Sequence, residues 1–257
     1  MKFIILGCGS SMGVPRADGF FGNCNPKNKK NLRSRCSALI KSKYENILID
    51  TSPDLRKQLL NNNIKNIDRV LYSHQHADQT HGINDLRVFY INKGKQVPLY
   101  ADKKTTKYLK DNFSYCFKYN STKPKSLDYP ATLKLNALKK IHKFSNIKIK
   151  CLKVNHGNID SLCFIINNKC AYASDVKFFY KNTISQLKNI NYLVIDCLRY
   201  NSHPSHFNLE ELLNFIDIIK PKKTILTNLS TQMDYNQLKK KLPKNILPAY
   251  DGFTINL

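Results

Sequence analysis

The sequence predicts an α/β chain of the α+β kind, folded as an αββα four-layer sandwich in a single domain over residues 1–257. Three observations carry that expectation. Short apolar, strand-like runs dominate, with helical patterns interspersed in both halves, so two sheets must bury one face together and cover the other with helices. No internal repeat, low-complexity segment or linker divides the chain. His74, His76, His156, Asp175, Asp196 and Asn228 each fall at or just after the end of a strand candidate, where the loops of layered folds converge.

Taken in order, the first strand is Lys2–Leu6, stopped by Gly7. Residues 13–36 are rich in glycine and asparagine and read as one long functional or mobile loop. Ser37–Ser42 and Asn46–Asp50 are the next strands, and Ser52-Pro53-Asp54 opens a helix through Leu60 with Pro at a tolerated first-turn position. The apolar run from Ile67 leads into a strand at Arg69–Tyr72, and a short helical pattern follows at Ile83–Phe89. Pro98–Tyr100 is a strand and Lys103–Phe117 a helix. Then come strands at Ile147–Val154, Ser161–Ile166, Cys170–Ala173 and Tyr192–Asp196. Asn208-Leu209-Glu210-Glu211 resembles a capping box and starts a helix to Ile219, closed by Pro221. Thr224–Thr227 is a strand, Asp234–Leu242 a helix stopped by Pro243, and Phe253–Ile255 the last strand.

Lys and Arg outnumber Asp and Glu by 42 to 18, a net charge of +24. The lysines are scattered among abundant asparagine and isoleucine, a codon-bias signature rather than a patch built for phosphate. Nucleic acid is therefore a disfavoured partner, while a small anionic substrate is favoured by the positive field. The eight cysteines form no Cys-x-x-Cys, and Cys151, Cys163, Cys170 and Cys197 lie in apolar stretches, as reduced buried thiols do. The N-terminal run is too short for a signal peptide and no apolar run reaches membrane-spanning length. The expected setting is cytoplasmic, with no membrane partner and a homodimer left open.

The chemistry concentrates in Tyr72-Ser73-His74-Gln75-His76-Ala77-Asp78-Gln79-Thr80-His81-Gly82. His74 and His76, two apart at an extended strand end, project to the same side with Asp78 following on that edge. Imidazoles backed by a carboxylate suit zinc or a similar divalent ion. His203 and His206 flank Pro204-Ser205 just before a helix start, whose N–H groups favour an anion. His142, among lysines, reads as an exposed residue without chemical company.

These motifs resemble the metallo-β-lactamase superfamily of metal-dependent hydrolases, most closely the phosphodiesterase branch that includes the cyclic phosphodiesterase of phosphonate breakdown. The carriers run from Leu6-Gly7-Cys8-Gly9-Ser10-Ser11 through Ile49-Asp50-Thr51-Ser52 and the histidine cluster. They continue with Asn155-His156-Gly157, Ala173-Ser174-Asp175, His203-Pro204-Ser205-His206 and Leu226-Thr227-Asn228-Leu229-Ser230. The resemblance implies a metallo-β-lactamase-like fold and one or two divalent ions, zinc or manganese. His74, His76 and His156 would hold the first ion; Asp78 would hold the second, with Asp175 bridging. Asp50 would orient a ligating imidazole through its other nitrogen. Asp78, Asp175 and His206 are then the expected catalytic residues, a metal-bound hydroxide attacking phosphorus while His206 assists the leaving oxygen.

Two positions depart from the family pattern: Gln79 and Asn228 stand where it places histidines of the second ion. Two accounts stay open. His81 restores the lost nitrogen, at i+3 from Asp78 on a helix, or the second ion is weak. Arg16, Arg33 and Arg35 either reach the substrate with His203 or pair with Asp18 and Glu45. The expected activity is hydrolysis of a small phosphodiester, a cyclic phosphate or nucleotide-like one. The alternatives are a tRNA-processing nuclease of the same superfamily and a non-catalytic metal- or nucleotide-binding protein with a degenerate second site. The nuclease needs an arm between His156 and Asp175, where two short strand candidates leave little room. Cys24 and Cys36 are too far apart in sequence for the close pair of a structural zinc.

Overall fold

Alternation along the strands decides how the layers stack. In the computed structural model, which describes residues 1–118 and 130–257, β1 (Lys2–Gly7) sends Phe3 and Ile5 to one side and Ile4 and Leu6 to the other. Both sides are apolar because both are covered. The first sheet joins β1 to β2 (Ser37–Lys41), β3 (Asn46–Ile49), β4 (Arg69–Leu71), β5 (Val97–Ala101), β6 (Leu133–Ala137) and the closing β15 (Phe253–Asn256). Its order is β15-β1-β2-β3-β4-β5-β6, parallel from β3 onward.

The second sheet contains β7 (Ile141–Phe144), β8 (Ile147–His156), β9 (Ile159–Ile166), β10 (Cys170–Ala173), β11 (Phe178–Phe179), β12 (Tyr192–Asp196), β13 (Lys223–Thr227) and β14 (Ile246–Pro248). The order is β11-β8-β9-β10-β12-β13-β14, parallel from β10 onward. β7 and β11 share one edge of β8, the first beside Ile147–Lys150 and the second beside Val154 and Asn155.

Three apolar clusters make the four layers. Between the sheets, Phe3, Ile5, Ile40 and Ile49 meet Ile149, Phe164, Tyr172 and Val194, with the Phe3 and Tyr172 rings 5.5 Å apart. Outside the first sheet lie α1 (Leu55–Asn61), α3 (Arg87–Lys93) and α4 (Lys103–Asn112), burying Leu55, Leu59, Phe89 and Leu109 on Leu39, Leu48 and Leu99. Outside the second sheet lie α5 (Lys181–Leu187), α6 (Leu209–Ile219) and α7 (Tyr235–Lys241), burying Leu187, Leu212, Ile216 and Leu238 on Ile165, Leu193 and Leu226. This is the αββα sandwich that the pattern predicts. The capping box forms as read: Asn208 Oδ1 accepts from Glu211 N at 2.8 Å, and the Glu211 carboxylate accepts from Asn208 N at 3.2 Å.

Several elements differ from the sequence reading. β6, β7, β11, β14 and α5 are additional, and the helix expected to reach Phe117 stops at Asn112 before a 3₁₀ turn, Ser114–Cys116. The helical pattern at Ile83–Phe89 divides into a 3₁₀ turn, Ile83–Leu86, and the first turn of α3. His142 is buried rather than exposed: it accepts from Lys139 N at 2.9 Å and stacks on Phe144, with Tyr100 at its edge. All eight cysteines are unpaired and buried. Among the described residues no helix is long and apolar enough to cross a membrane.

The loop after β1 is fastened by Asp251, which accepts from Cys8 N at 3.1 Å, Ser34 N at 2.8 Å and Ser34 Oγ at 2.6 Å. Burial outweighs these donors and pushes its carboxyl from 3.8 up to about 6. The folded state therefore holds an extra proton between those values, and stability falls as pH rises through them. The stability of Asp251→Asn relative to wild type should rise by roughly 2–3 kcal/mol from about pH 4 to about pH 7.5, read by urea unfolding. Phe164→Ala, in the inter-sheet core, should cost about 3–5 kcal/mol, whereas Ile218→Ala on an exposed face should change the unfolding free energy by under about 0.5 kcal/mol.

Candidate metal centre

The centre is assembled from both sheets. The chain leaves β4 with Tyr72 N bonded to Tyr100 O, and Ser73 N donates to Asp50 Oδ1 at 2.7 Å, which sets the direction of the turn carrying His74 and His76. From the second sheet, β8 ends on His156 itself. His74 Nε2 lies 3.0 Å from His76 Nδ1, and His156 Nε2 lies 3.3 Å from the same atom. Ligand nitrogens at zinc–nitrogen lengths stand roughly 3.3 Å apart on the edge of a tetrahedron. The three ring nitrogens have the spacing of a ligand set.

Their tautomers point the same way. His156 Nδ1 lies 2.8 Å from Ser205 O, a carbonyl that can only accept, so Nδ1 carries the proton and Nε2 the lone pair. Ser73 Oγ stands 3.0 Å from His74 Nδ1 and leaves its Nε2 for the centre. Burial pulls His74 down to about 3 against the charge of Asp175, and the neighbouring imidazoles push in the same direction as burial. Neutral imidazoles are the metal-binding form. The donor set fits a divalent ion such as zinc, with His74, His76 and His156 as its nitrogen ligands.

Asp175, just past β10, lies beside this triad and is 3 % exposed. Gln79 Nε2 donates to Asp175 Oδ2 at 3.2 Å and to Asp78 Oδ2 at 3.0 Å. Of the two carboxyls, Asp78 is the one pushed up, to about 6, by burial and by the charge of Asp175. His206 completes a second group: its ligand atom and those of His156 and Asp175 all lie within 4.8 Å of one another. His206 Nδ1 is 2.6 Å from Asp196 Oδ2, which also accepts from Val176 N at 3.0 Å. Burial alone would lower the His206 pKa, but the Asp196 charge and hydrogen bond raise it to about 9. Asn228 Nδ2 donates to Asp196 Oδ1 at 3.1 Å, and the ring of His203 packs 4.9 Å from that of His206.

Four expectations need correction. Asp50 contacts the backbone N–H of Ser73 and no imidazole; the ring-orienting partners are Ser73, Ser205 and Asp196. His81 does not restore a ligand nitrogen. The short helix α2 (Ala77–Thr80) ends before it, and its exposed ring bonds Tyr108 Oη at 2.9 Å and packs edge-on against Phe113. The α6 N-terminus is not open to an anion through Leu209 N, which is bonded to Arg199 O, or through Glu211 N, which is bonded to Asn208. The arginines are engaged elsewhere. Arg16 pairs with Asp18, as one of the two open readings has it, while Arg35 grips Asp54 through Nε and Nη2 at 2.9 Å each. The buried Arg33 donates to Met233 O at 2.7 Å and stands 3.9 Å from Cys24 Sγ. Arg33 and Arg35 line a separate cleft of about 620 Å³ with Lys57 and Asp251, and Glu45 pairs with Arg69 instead.

In the sequence Asp196 stands out only as a strand-end acid, and Ser73 and Ser205 carry no signal, since serines beside ligands are ordinary in loops. A family model described as the Beta-lactamase superfamily domain matches residues 45–227. The chain belongs to this superfamily. It has the metallo-β-lactamase fold, and within the superfamily it resembles the phosphodiesterase branch. It is similar to a protein whose structure is described as a new diphosphatase from the PhnP family, at 28% identity and TM-score 0.88 over 100% of this chain and 97% of that one. It shares its superfamily fold with Zn(2+)-bound PqqB from Methylobacterium extorquens (16% identity, TM-score 0.77, 100% of each chain). Human tRNase Z, short form, shares the fold too (14% identity, TM-score 0.70, 100% of this chain and 99% of that one). A curated superfamily relative is the octanoyltransferase of Porphyromonas gingivalis (strain ATCC BAA-308 / W83), 32% identical over 259 residues and 98% of this chain. The chain spans 51% of that relative's length.

An ion bound by folded protein alone raises stability by mass action. At about 100 times its Kd, zinc should add about 2.7 kcal/mol to the unfolding free energy of the chelator-treated protein. His74→Ala should remove that zinc-dependent gain, measured by thermal or urea unfolding with and without the metal.

Proposed function

We propose that this chain is a metal-dependent phosphodiesterase acting on a small anionic diester, a cyclic phosphate or nucleotide-like one. The observation that carries the reading is the Asp196–His206 pair beside the three-imidazole centre. A divalent ion, zinc or manganese, held by His74, His76 and His156 with Asp175 beside them, would supply Lewis acidity and lower the pKa of a water. The protein's own contribution is proton placement. Asp196 fixes the His206 ring through Nδ1 and favours its charged form, leaving Nε2 to deliver a proton to a departing oxygen. Asn228 holds the second oxygen of Asp196 and so keeps that carboxylate from rotating.

The net charge of +24 favours an anionic substrate by steering. The likeness to a protein named as a diphosphatase favours a phosphate over a β-lactam or a thioester. Unpaired buried thiols favour a reducing, cytoplasmic setting. The nuclease reading is weaker, because β9 and β10 occupy the stretch between His156 and Asp175 where an arm would be inserted.

The test compares two diesters on zinc- and manganese-loaded protein. Bis-p-nitrophenyl phosphate releases an oxygen that needs no proton; a cyclic nucleotide releases one that does. His206→Ala should slow the cyclic nucleotide by roughly 10²–10⁴-fold and the nitrophenyl ester far less, while Asp175→Ala should lose both. Equal losses on the two substrates with His206→Ala would remove the acid role. No turnover of either diester by wild type with either metal would sink the reading in favour of a binding protein.

A further inference from the structure

The resemblance implies a second ion held by Asp78, Asp175 and the side chains at positions 79 and 228. The structure places N–H donors where that ion would need lone pairs. Gln79 Nε2 bridges Asp78 Oδ2 and Asp175 Oδ2, at 3.0 and 3.2 Å, and its own Oε1 is buried without a hydrogen-bond partner. Turning the amide would set a carbonyl oxygen against two carboxylates, so the donor orientation holds despite the unsatisfied oxygen. Asn228 Nδ2 lies 3.1 Å from Asp196 Oδ1 and 3.5 Å from Asp175 Oδ1. Neither amide has room to swing away: Gln79 is 0 % exposed and Asn228 2 %. Gln79 is further anchored through its backbone carbonyl, which accepts from Thr51 N. The other imidazoles are committed elsewhere, His81 to Tyr108, His206 through Nδ1 to Asp196, His203 Nδ1 to Ser205 N and His142 to the Lys139 N–H and the Phe144 ring.

We infer that this chain binds one divalent ion, at His74, His76 and His156, and that the Gln79 and Asn228 amides stand in for the second. Carboxylates drawn together by a dication are drawn together here by shared amide protons, which keeps Asp175 beside the first ion without a neighbouring charge. The inference concerns the ion count and rests on the metal centre, not on the choice of phosphodiester as substrate.

The experiment counts metal on the full chain. Protein stripped with a chelator is titrated with cobalt(II), following its d–d absorption. A parallel sample loaded with excess zinc and desalted is assayed by inductively coupled plasma and native mass spectrometry. Saturation at one equivalent in both is expected, rising to two in the Gln79→His, Asn228→His double variant. Two equivalents in wild type overturn the inference and leave the phosphodiesterase reading standing. If that second equivalent disappears in His206→Ala, a site rebuilt on His206 replaces the amide account. A double variant with native circular dichroism that still binds one equivalent also overturns it, since the amides would then not be what excludes the ion. A count of zero removes the metal centre itself, and the phosphodiesterase reading with it. The wild-type cobalt endpoint decides the count even where the double variant fails to fold.

Discussion

Three imidazole nitrogens turned toward one point, 3.0 and 3.3 Å apart, repel one another unless a proton or a cation lies between them. Holding them there takes work from both halves of the molecule. His74 and His76 hang from the end of β4 in the first sheet, and His156 terminates β8 in the second. The distance between them is set by the thickness of the apolar layer in which Phe3 and Ile49 face Phe164 and Tyr172. Ser205, from the loop before α6, then locks the His156 tautomer. Loosening the inter-sheet core therefore acts on ligand spacing as well as on stability, since a packed layer transmits small displacements.

Charge is partitioned between surface and centre. The chain is strongly basic overall, yet Asp50, Asp175 and Asp196 are all nearly or fully buried at strand ends beside the histidines. Each is compensated differently. Asp196 has an imidazole partner and two further donors, Asp175 has amides and nearby histidines, and Asp50 has the Ser73 N–H while its second oxygen has no partner. Burial pushes the Asp50 carboxyl well above the usual range, consistent with an oxygen that finds no donor.

The fold was legible wherever periodicity or capping was strong. The alternating and all-apolar runs of β1, β9, β10 and β12 and the capping box of α6 identify themselves, as do the histidines at the end of β4. The elements left unread have physical reasons for silence. β14 contains Pro248, which argues against a strand; β11 is two residues long, and α5 has neither a side-chain cap nor an acid in its first turn. In the site, the positions of His74, His76, His156 and Asp175 follow from strand ends, and that of His206 from the capped helix start it precedes. Partners do not. Whether Arg33 meets a substrate or the Ser230 and Met233 carbonyls depends on how a long loop folds back on the segment after β13, and no local pattern encodes that.

The loop between β1 and β2 is secured at points away from the three histidines, through Asp251 on Ser34 and Cys8, Arg33 on Met233, and Arg35 on Asp54. None of these attachments is made to an imidazole ring. Such a separation makes the chain modular in the sense that matters for descent and for engineering. Residues at the loop's tip, such as the exposed Met12 and Phe20, can be exchanged without touching a ligand. Substitutions can then accumulate in that loop while the reactive apparatus stays under its own constraint.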